Sequence, residues 1–392
     1  MKNKATLFGR REILKGIGSL AGYGALSSLF GLPSLLTNAF GGENNSADSL
    51  RERAARKGLV FGAASGCNLL TRDKEFAARF AEECGMLVPE NELMWNAVRP
   101  SPDGFNFGPG DCLAEFARKN NMLFRGHALV WHEALPAWFH RTVGDQNAEQ
   151  ILRSHINKVV GHYAGKTHSW DVVNEAIAPW QRQPDGMRDT PWLRLLGPKY
   201  MDISFRTAAA ADPKTLLVYN QNHLEYDSKG SEACRNHTLN LLRRLKTGGT
   251  PVHALGIQAH LTSEDGKFNP QVFRKFLREV AGLDLKIMMT EMDVIDRDIT
   301  NDIFTRDKII SGKYEELLSV ALDEPAVIAV LTWGLSDKYT WVRNYFPRRD
   351  DAAVRPLPLD ESFHRKQAWH AIARAFDQTN VSPSARKKAM IP

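Results

Sequence analysis

At 392 residues, with 43% hydrophobic and 24% charged side chains, the chain has the composition of a water-soluble protein able to bury a large core, which excludes disorder over most of its length. Its 51 basic and 45 acidic residues leave a net charge of +6, but the excess lies in residues 1–39 and in Arg386, Lys387 and Lys388. No basic stripe interleaved with aromatics remains, so nucleic acid is not an expected partner. The four cysteines (Cys67, Cys84, Cys112, Cys234) show neither CxxC pairing nor His at zinc spacing, so neither a metal nor a cofactor is expected. Isolated cysteines in so long a chain read as buried hydrophobes, with a disulfide open in an oxidising compartment.

The first segment, GRREILKG at 9–16, places Arg10 and Arg11 ahead of an apolar run from Ile17 to Leu36 rich in Gly, Ala, Leu and Ser. It resembles a twin-arginine export signal, with small residues for cleavage near Ala39. The competing reading is an uncleaved membrane anchor, disfavoured because Gly and Ser dilute the run. The expected organisation is therefore an export signal at 1–39, a polar linker at 40–50, one catalytic domain at 51–376 and a tail at 377–392. A periplasmic or extracellular monomer follows, without membrane attachment once the signal is removed.

From residue 59 onward, β-prone runs alternate with amphipathic segments. Eight such runs occur: 59–65, 86–91, 123–131, 170–176, 215–221, 254–261, 286–294 and 329–337. Helical spacing is clear at 74–85, 111–121, 149–165 and 271–282. Strand alternating with helix implies parallel pairing through right-handed crossovers. With no Gly-rich phosphate loop after the first run, eight units predict an α/β fold of one closed (β/α)8 TIM barrel.

In such a barrel the active site lies at the carboxyl ends of the strands. Each run indeed ends in hydrogen-bonding or aromatic residues: Glu90 and Asn91, His127 to Trp131, Asn174 and Glu175, Gln221 and Asn222, Gln258 and His260, Glu291 with Asp293, and Trp333. Glu175 and Glu291 end the fourth and seventh runs, so they face each other across the mouth. Paired carboxylates across a groove suit glycosidic cleavage, in which one delivers a proton and the other attacks or stabilises an oxocarbenium-like centre. Aromatics beside them suit the flat apolar faces of sugars. WHEALPAWFH at 131–140 fails as a zinc-protease motif, because Pro136 stands where a second His is needed.

ENELMW (90–95), RGHALVWHEALPAWF (125–139), WDVVNEA (170–176), GIQAHL (256–261), TEMDV (290–294) and LTWGLSDKYTW (331–341) together resemble the family 10 glycoside hydrolases, retaining endo-β-1,4-xylanases of (β/α)8 fold. The resemblance implies Glu175 as acid/base and Glu291 as nucleophile, with the carboxyl groups about 5–5.5 Å apart. It also implies that His127, Trp131 and Asn174 hold the sugar being cleaved and that Gln258 and His260 position the nucleophile. Asp293 would orient His260, Trp333 and Trp341 would line the glycone side, and Glu90 and Asn91 would bind the next sugar outward. The implied partner is a plant-type polysaccharide or oligosaccharide.

Departures from the family pattern fall around this core. Met94 stands where the family has Lys, Glu133 and Ala134 replace Ser-Gln, and Asn220 to His223 replace Asn-Asp-Tyr-Asn. They point to a retuned glycone pocket, and a β-glycanase or exo-glycosidase stays open beside the xylanase, although Trp341 would crowd the extra carbon of glucose. A secreted carbohydrate-binding protein on a degenerate barrel is the non-enzymatic alternative. Asp171 reads as a buried anchor, His155, His162, His237 and His253 as surface or satisfied core residues, and Trp138, Trp180, Trp192 and Trp369 as packing rather than distal sugar contacts.

Overall fold

The computed structural model describes residues 48–262, 267–300 and 302–390. The expected export signal and most of the expected linker lie outside the described residues. The compact region begins at Asp48, where Ser49 caps a helix over Leu50–Arg56 and forms a reciprocal capping box with Glu52.

Among the described residues nine strands follow: β1 (Val60–Ser65), β2 (Met86–Pro89), β3 (Leu123–Gly126), β4 (Ser169–Asn174), β5 (Leu216–Gln221), β6 (Ala254–Ile257), β7 (His260–Thr262), β8 (Lys286–Ile295) and β9 (Val327–Thr332). All pair in parallel, in the order β6-β5-β4-β3-β2-β1-β9-β8, and β6 also pairs with β8. That last pairing closes a (β/α)8 TIM barrel. The sixth expected run is split: Ala259 turns at φ +59°, and β7 resumes beside β8 as a continuation of the same barrel strand. Ile287, Met288 and Met289 are fully buried, as expected of parallel strands covered on both faces.

The helices fall where spacing placed them, at Lys74–Glu83, Gly108–Lys119, Ala148–His162 and Pro270–Ala281. Asp73 caps the first of these through Phe76 N. It also receives Lys338 Nζ (2.8 Å) and Tyr339 Oη (2.7 Å), which pins the loop after β9 to the helix. A Cβ on Gly126 would overlap the Trp170 ring, so only glycine lets that indole fill the gap between β3 and β4.

The structure fills in what the sequence left open at the cysteines and the tail, and revises its reading of His155 and Trp180. Cys67 and Cys112 form a disulfide joining the helices Cys67–Arg72 and Gly108–Lys119, whereas Cys84 and Cys234 are the plain buried hydrophobes expected; a crosslink between distant turns leaves no periodic trace. His155 is buried but not satisfied. Neither of its ring nitrogens has a hydrogen-bond partner, its ring stacks on Trp95 at 3.5 Å, and burial with the Arg99 charge pushes its pKa well down, so it packs as a neutral aromatic. Residues Pro383–Met390 form a helix within the expected tail. There Arg386 is buried and donates to Val327 O (2.7 Å) and Glu324 O (3.1 Å) at the start of β9. Trp138, Trp192 and Trp369 are core residues as expected, but Trp180 is 41% exposed.

Candidate active site

Both carboxylates follow irregularities that strand periodicity does not show. In β4, Asp171 pairs with Val218 and Val173 with Tyr219, so one extra residue bulges from the strand just before Asn174 and Glu175. In β8, Met289 pairs with Val330 and Met292 with Thr332, which places Glu291 in a second bulge. Such bulges re-aim side chains at barrel rims. Glu175 itself adopts φ +57°, a conformation that costs a non-glycine residue roughly 1–3 kcal/mol. Its N–H donates to Asn220 O (2.9 Å) and its carbonyl accepts from Arg188 Nε (2.6 Å), which hold it there.

A chain of amides joins the two acids. Asn220 Nδ2 donates to Glu291 Oε1 (2.7 Å) and to Asn174 Oδ1 (3.0 Å). Gln258 Nε2 donates to the same Asn174 oxygen (3.2 Å) and to Glu175 Oε1 (3.1 Å). Two donors on Asn174 Oδ1 orient the amide, so its Nδ2 remains to donate to a substrate hydroxyl. Thr290 Oγ1 donates to Asn220 Oδ1 (2.7 Å). A Cβ on Gly256 would overlap that oxygen, so the glycine makes room for the amide that holds Glu291.

The other Glu291 oxygen lies 3.1 Å from His260 Nε2, whose Nδ1 lies 2.9 Å from Asp293 Oδ1. Burial opposes a charge on this imidazole, but the two flanking carboxylates prevail and push its pKa up to about 10. The imidazolium thus stands between the Glu291 and Asp293 carboxyl groups. Trp341 Nε1 donates to Asp293 Oδ2 (2.6 Å), and its ring lies 5.0 Å from that of His260.

Glu175 has another environment. Burial would raise its pKa, yet the Arg188 guanidinium (Nη2 to Oε2, 3.6 Å), the nearby His132, and the Gln258 and Trp131 donors outweigh burial and hold the carboxyl below its usual range. On the neighbouring strand, His127 Nδ1 is 2.9 Å from Asp171 Oδ2, and Arg125 also pairs with that buried acid. Asp171 is thus the anchor expected. The Trp333 ring meets His127 edge-on at 5.0 Å. Glu90 and Asn91 occupy the loop after β2, half-buried and exposed respectively, and Met94 packs with Trp131 and Ala134 in a small apolar cluster.

Around the two acids the structure brings together Asn174, Gln258, His260, Asp293 and Trp341. Gln258 touches both acids: its carbonyl accepts the Glu291 N–H at 2.9 Å, and its side-chain amide donates to Glu175, while His260, beyond the turn at Ala259, reaches the Glu291 carboxylate. Glu225 holds this turn, its buried carboxylate accepting the Ala259 N–H at 2.9 Å. The residues that bind Glu291 and Glu175 but were missed are Asn220 and Arg188. Asn220 lay one position before the polar pair Gln221 and Asn222, while Arg188 belongs to a loop without periodic signal. Among the described residues no group of three or more His, Cys, Asp or Glu is placed to hold a metal ion.

Residues 49–375 match the family model described as glycosyl hydrolase family 10. Endo-1,4-beta-xylanase B of Thermotoga neapolitana is 31% identical over 359 residues, covering 89% of this chain and 98% of that protein. Xylanase 10B from Thermotoga maritima superposes with a TM-score of 0.76 at 32% identity, over 84% of this chain and 98% of that one. Xylanase 10B from Thermotoga petrophila RKU-1 in complex with xylobiose gives the same TM-score and identity over 86% and 99%. With its barrel, its carboxylate pair and a family match spanning the whole barrel, the chain belongs to glycosyl hydrolase family 10 and is a glycoside hydrolase.

Proposed function

We propose that the enzyme cleaves β-1,4-xylosidic linkages in xylan or xylo-oligosaccharides with retention of configuration, Glu291 acting as nucleophile and Glu175 as acid/base. The observation that carries the assignment of roles is the unequal treatment of the two acids. Glu291 is bonded on both oxygens, by Asn220 and a cationic His260, whereas Glu175 stands just beyond its strand in a left-handed conformation with Gln258 on one oxygen and Arg188 near the other.

In the first step a Glu291 oxygen bonds to the anomeric carbon as the glycosidic C–O bond breaks, and Glu175 passes its proton to the leaving oxygen. Water then enters; Glu175 takes its proton, the water oxygen bonds to the anomeric carbon and the ester to Glu291 breaks. Asn174 Nδ2 is the donor for the sugar's 2-hydroxyl, a contact that strengthens in the transition state. His127, Trp131, Trp333 and Trp341 surround the sugar being cleaved, and Glu90 and Asn91 bind the next one outward. A mechanism-based fluorosugar should label Glu291, and NMR of the first-formed product should show the starting anomer; a label elsewhere or an inverted product would overturn the roles.

The apolar cluster of Met94, Trp131 and Ala134 favours weakened polar recognition of the outer glycone sugar. Aryl β-xylobioside should then gain little in kcat/KM over aryl β-xyloside, and a large gain would refute the weakened subsite. The Arg10-Arg11 segment supports export by a twin-arginine route. The Cys67–Cys112 disulfide adds support, since such bonds persist in oxidising compartments. Fractionation of the producing cells checks this, and light scattering checks the proposed monomer.

A further inference from the structure

We infer that Trp180, with His223 at its edge, is a stacking platform for the leaving-group sugar, which makes it a specificity-determining residue for the reaction proposed above and dependent on that reading. Trp180 lies in the short turn Pro179–Gln181 after β4, while Trp333 and Trp341 follow β9. In the closed barrel these are the fourth and eighth strands, so Trp180 stands across the mouth from the glycone aromatics. Only one guanidinium separates it from the chemistry: Arg188 lies 5.6 Å from its ring centroid and 3.6 Å from the Glu175 carboxylate.

Glu175 protonates the oxygen that joins the cleaved sugar to the departing one. The departing sugar therefore starts at Glu175 and runs away from Trp333 and Trp341, toward Trp180. His223, from the loop after β5, meets the indole edge-on at 5.3 Å. The plainer role, a cap on Arg188, does not account for a large apolar ring left 41% exposed. Nor is the ring on a loose segment. Ala178 N donates to Gly186 O (2.8 Å), Arg188 N to Ala176 O (2.7 Å) and Asp189 N to Gln181 Oε1 (2.7 Å), so the loop is pre-organised to present it. Exposed and rigid aromatic planes suit the apolar face of a pyranose.

The test compares xylopentaose, which has a sugar leaving group, with β-xylobiosyl fluoride, which has none. For Trp180→Ala the ratio of kcat/KM on pentaose to that on fluoride should fall about tenfold, mainly through KM. Trp180→Phe should recover most of the ratio, and Trp180→Gln, a second variant without a ring, should behave as Trp180→Ala. An unchanged ratio in both ringless variants, whether through no loss or through equal loss on both substrates, would overturn the platform. Wild-type enzyme inactive on both substrates would instead overturn the proposed reaction, and the platform with it.

Discussion

The two acids are held by different kinds of structure. Glu291 projects from within a ten-residue strand and is bonded on both oxygens by groups from β5 and β7. Glu175 lies just beyond its strand, in a left-handed conformation, and its partners come from the turn at Ala259 and from a loop carrying Arg188. One acid is fixed inside the strand lattice, and the other stands on a loop whose guanidinium holds its carboxyl below the usual range. Two residues of identical type thus meet different rigidity and charge at the ends of two strands of one barrel, and such differences are what set acid and base duties apart.

The strongest way to break this comparison is at its rigid half. Glu291→Ala should lose about 10⁵-fold or more in kcat on every substrate, measured as initial rates on xylo-oligosaccharides and aryl glycosides alike. Glu175→Ala should be selective: a loss of about 10²–10⁴-fold on sugar leaving groups, but a rapid burst with activated aryl leaving groups, which need no proton. Equal losses on both would erase the distinction between the acids.

His260→Asn removes the cation between Glu291 and Asp293, and a loss of about 10²-fold in kcat is expected, on the scale of deleting one strong electrostatic contact. The same residue has a thermal signature. Its folded pKa of about 10 exceeds the ordinary 6.5, so its stabilising contribution is complete below about 6.5 and is lost as pH rises toward about 10. The Tm of wild type should fall through that window more steeply than that of His260→Asn, as calorimetry would show.

Arg188→Gln sharpens the mobile half. Removing the guanidinium raises the Glu175 carboxyl, so the basic limb of the kcat/KM profile should move to higher pH. No movement would mean that Arg188 does not govern the acid. Smallest in its effect on turnover is Cys67→Ser with Cys112→Ser. It should cost about 2–4 kcal/mol of stability in denaturant unfolding and leave kcat within about twofold, because the disulfide lies outside the network that holds the acids.

The rigid half was also the more legible. Barrel strands announce themselves as apolar runs, and a carboxylate ending such a run is visible in the amino-acid order alone, as at Ile287 to Glu291. Asn174, His260 and Asp293 were recoverable for the same reason, since strand neighbours in sequence remain neighbours in space. Arg188 was not, because it reaches Glu175 by the return of a loop whose length and course follow from hydrogen bonds such as Ala178 to Gly186. The contact of the Gln258 side chain with Glu175 was not legible either, because a single left-handed residue, Ala259, changes the facing that alternation predicts. The Cys67–Cys112 pairing depends on two helices packing side by side, which no local pattern encodes.

The buried Arg386 carries a practical consequence. Its guanidinium plugs the carbonyls at the foot of β9, while Arg53 and Lys57 of the opening helix grip Asp377 and Thr379 nearby. The carboxyl-terminal segment thus leaves the barrel at the pole opposite the substrate mouth. An enzyme tethered to a bead by that end would keep its groove turned toward insoluble fibre, whereas trimming the chain at residue 376 would pull the stopper from the barrel floor.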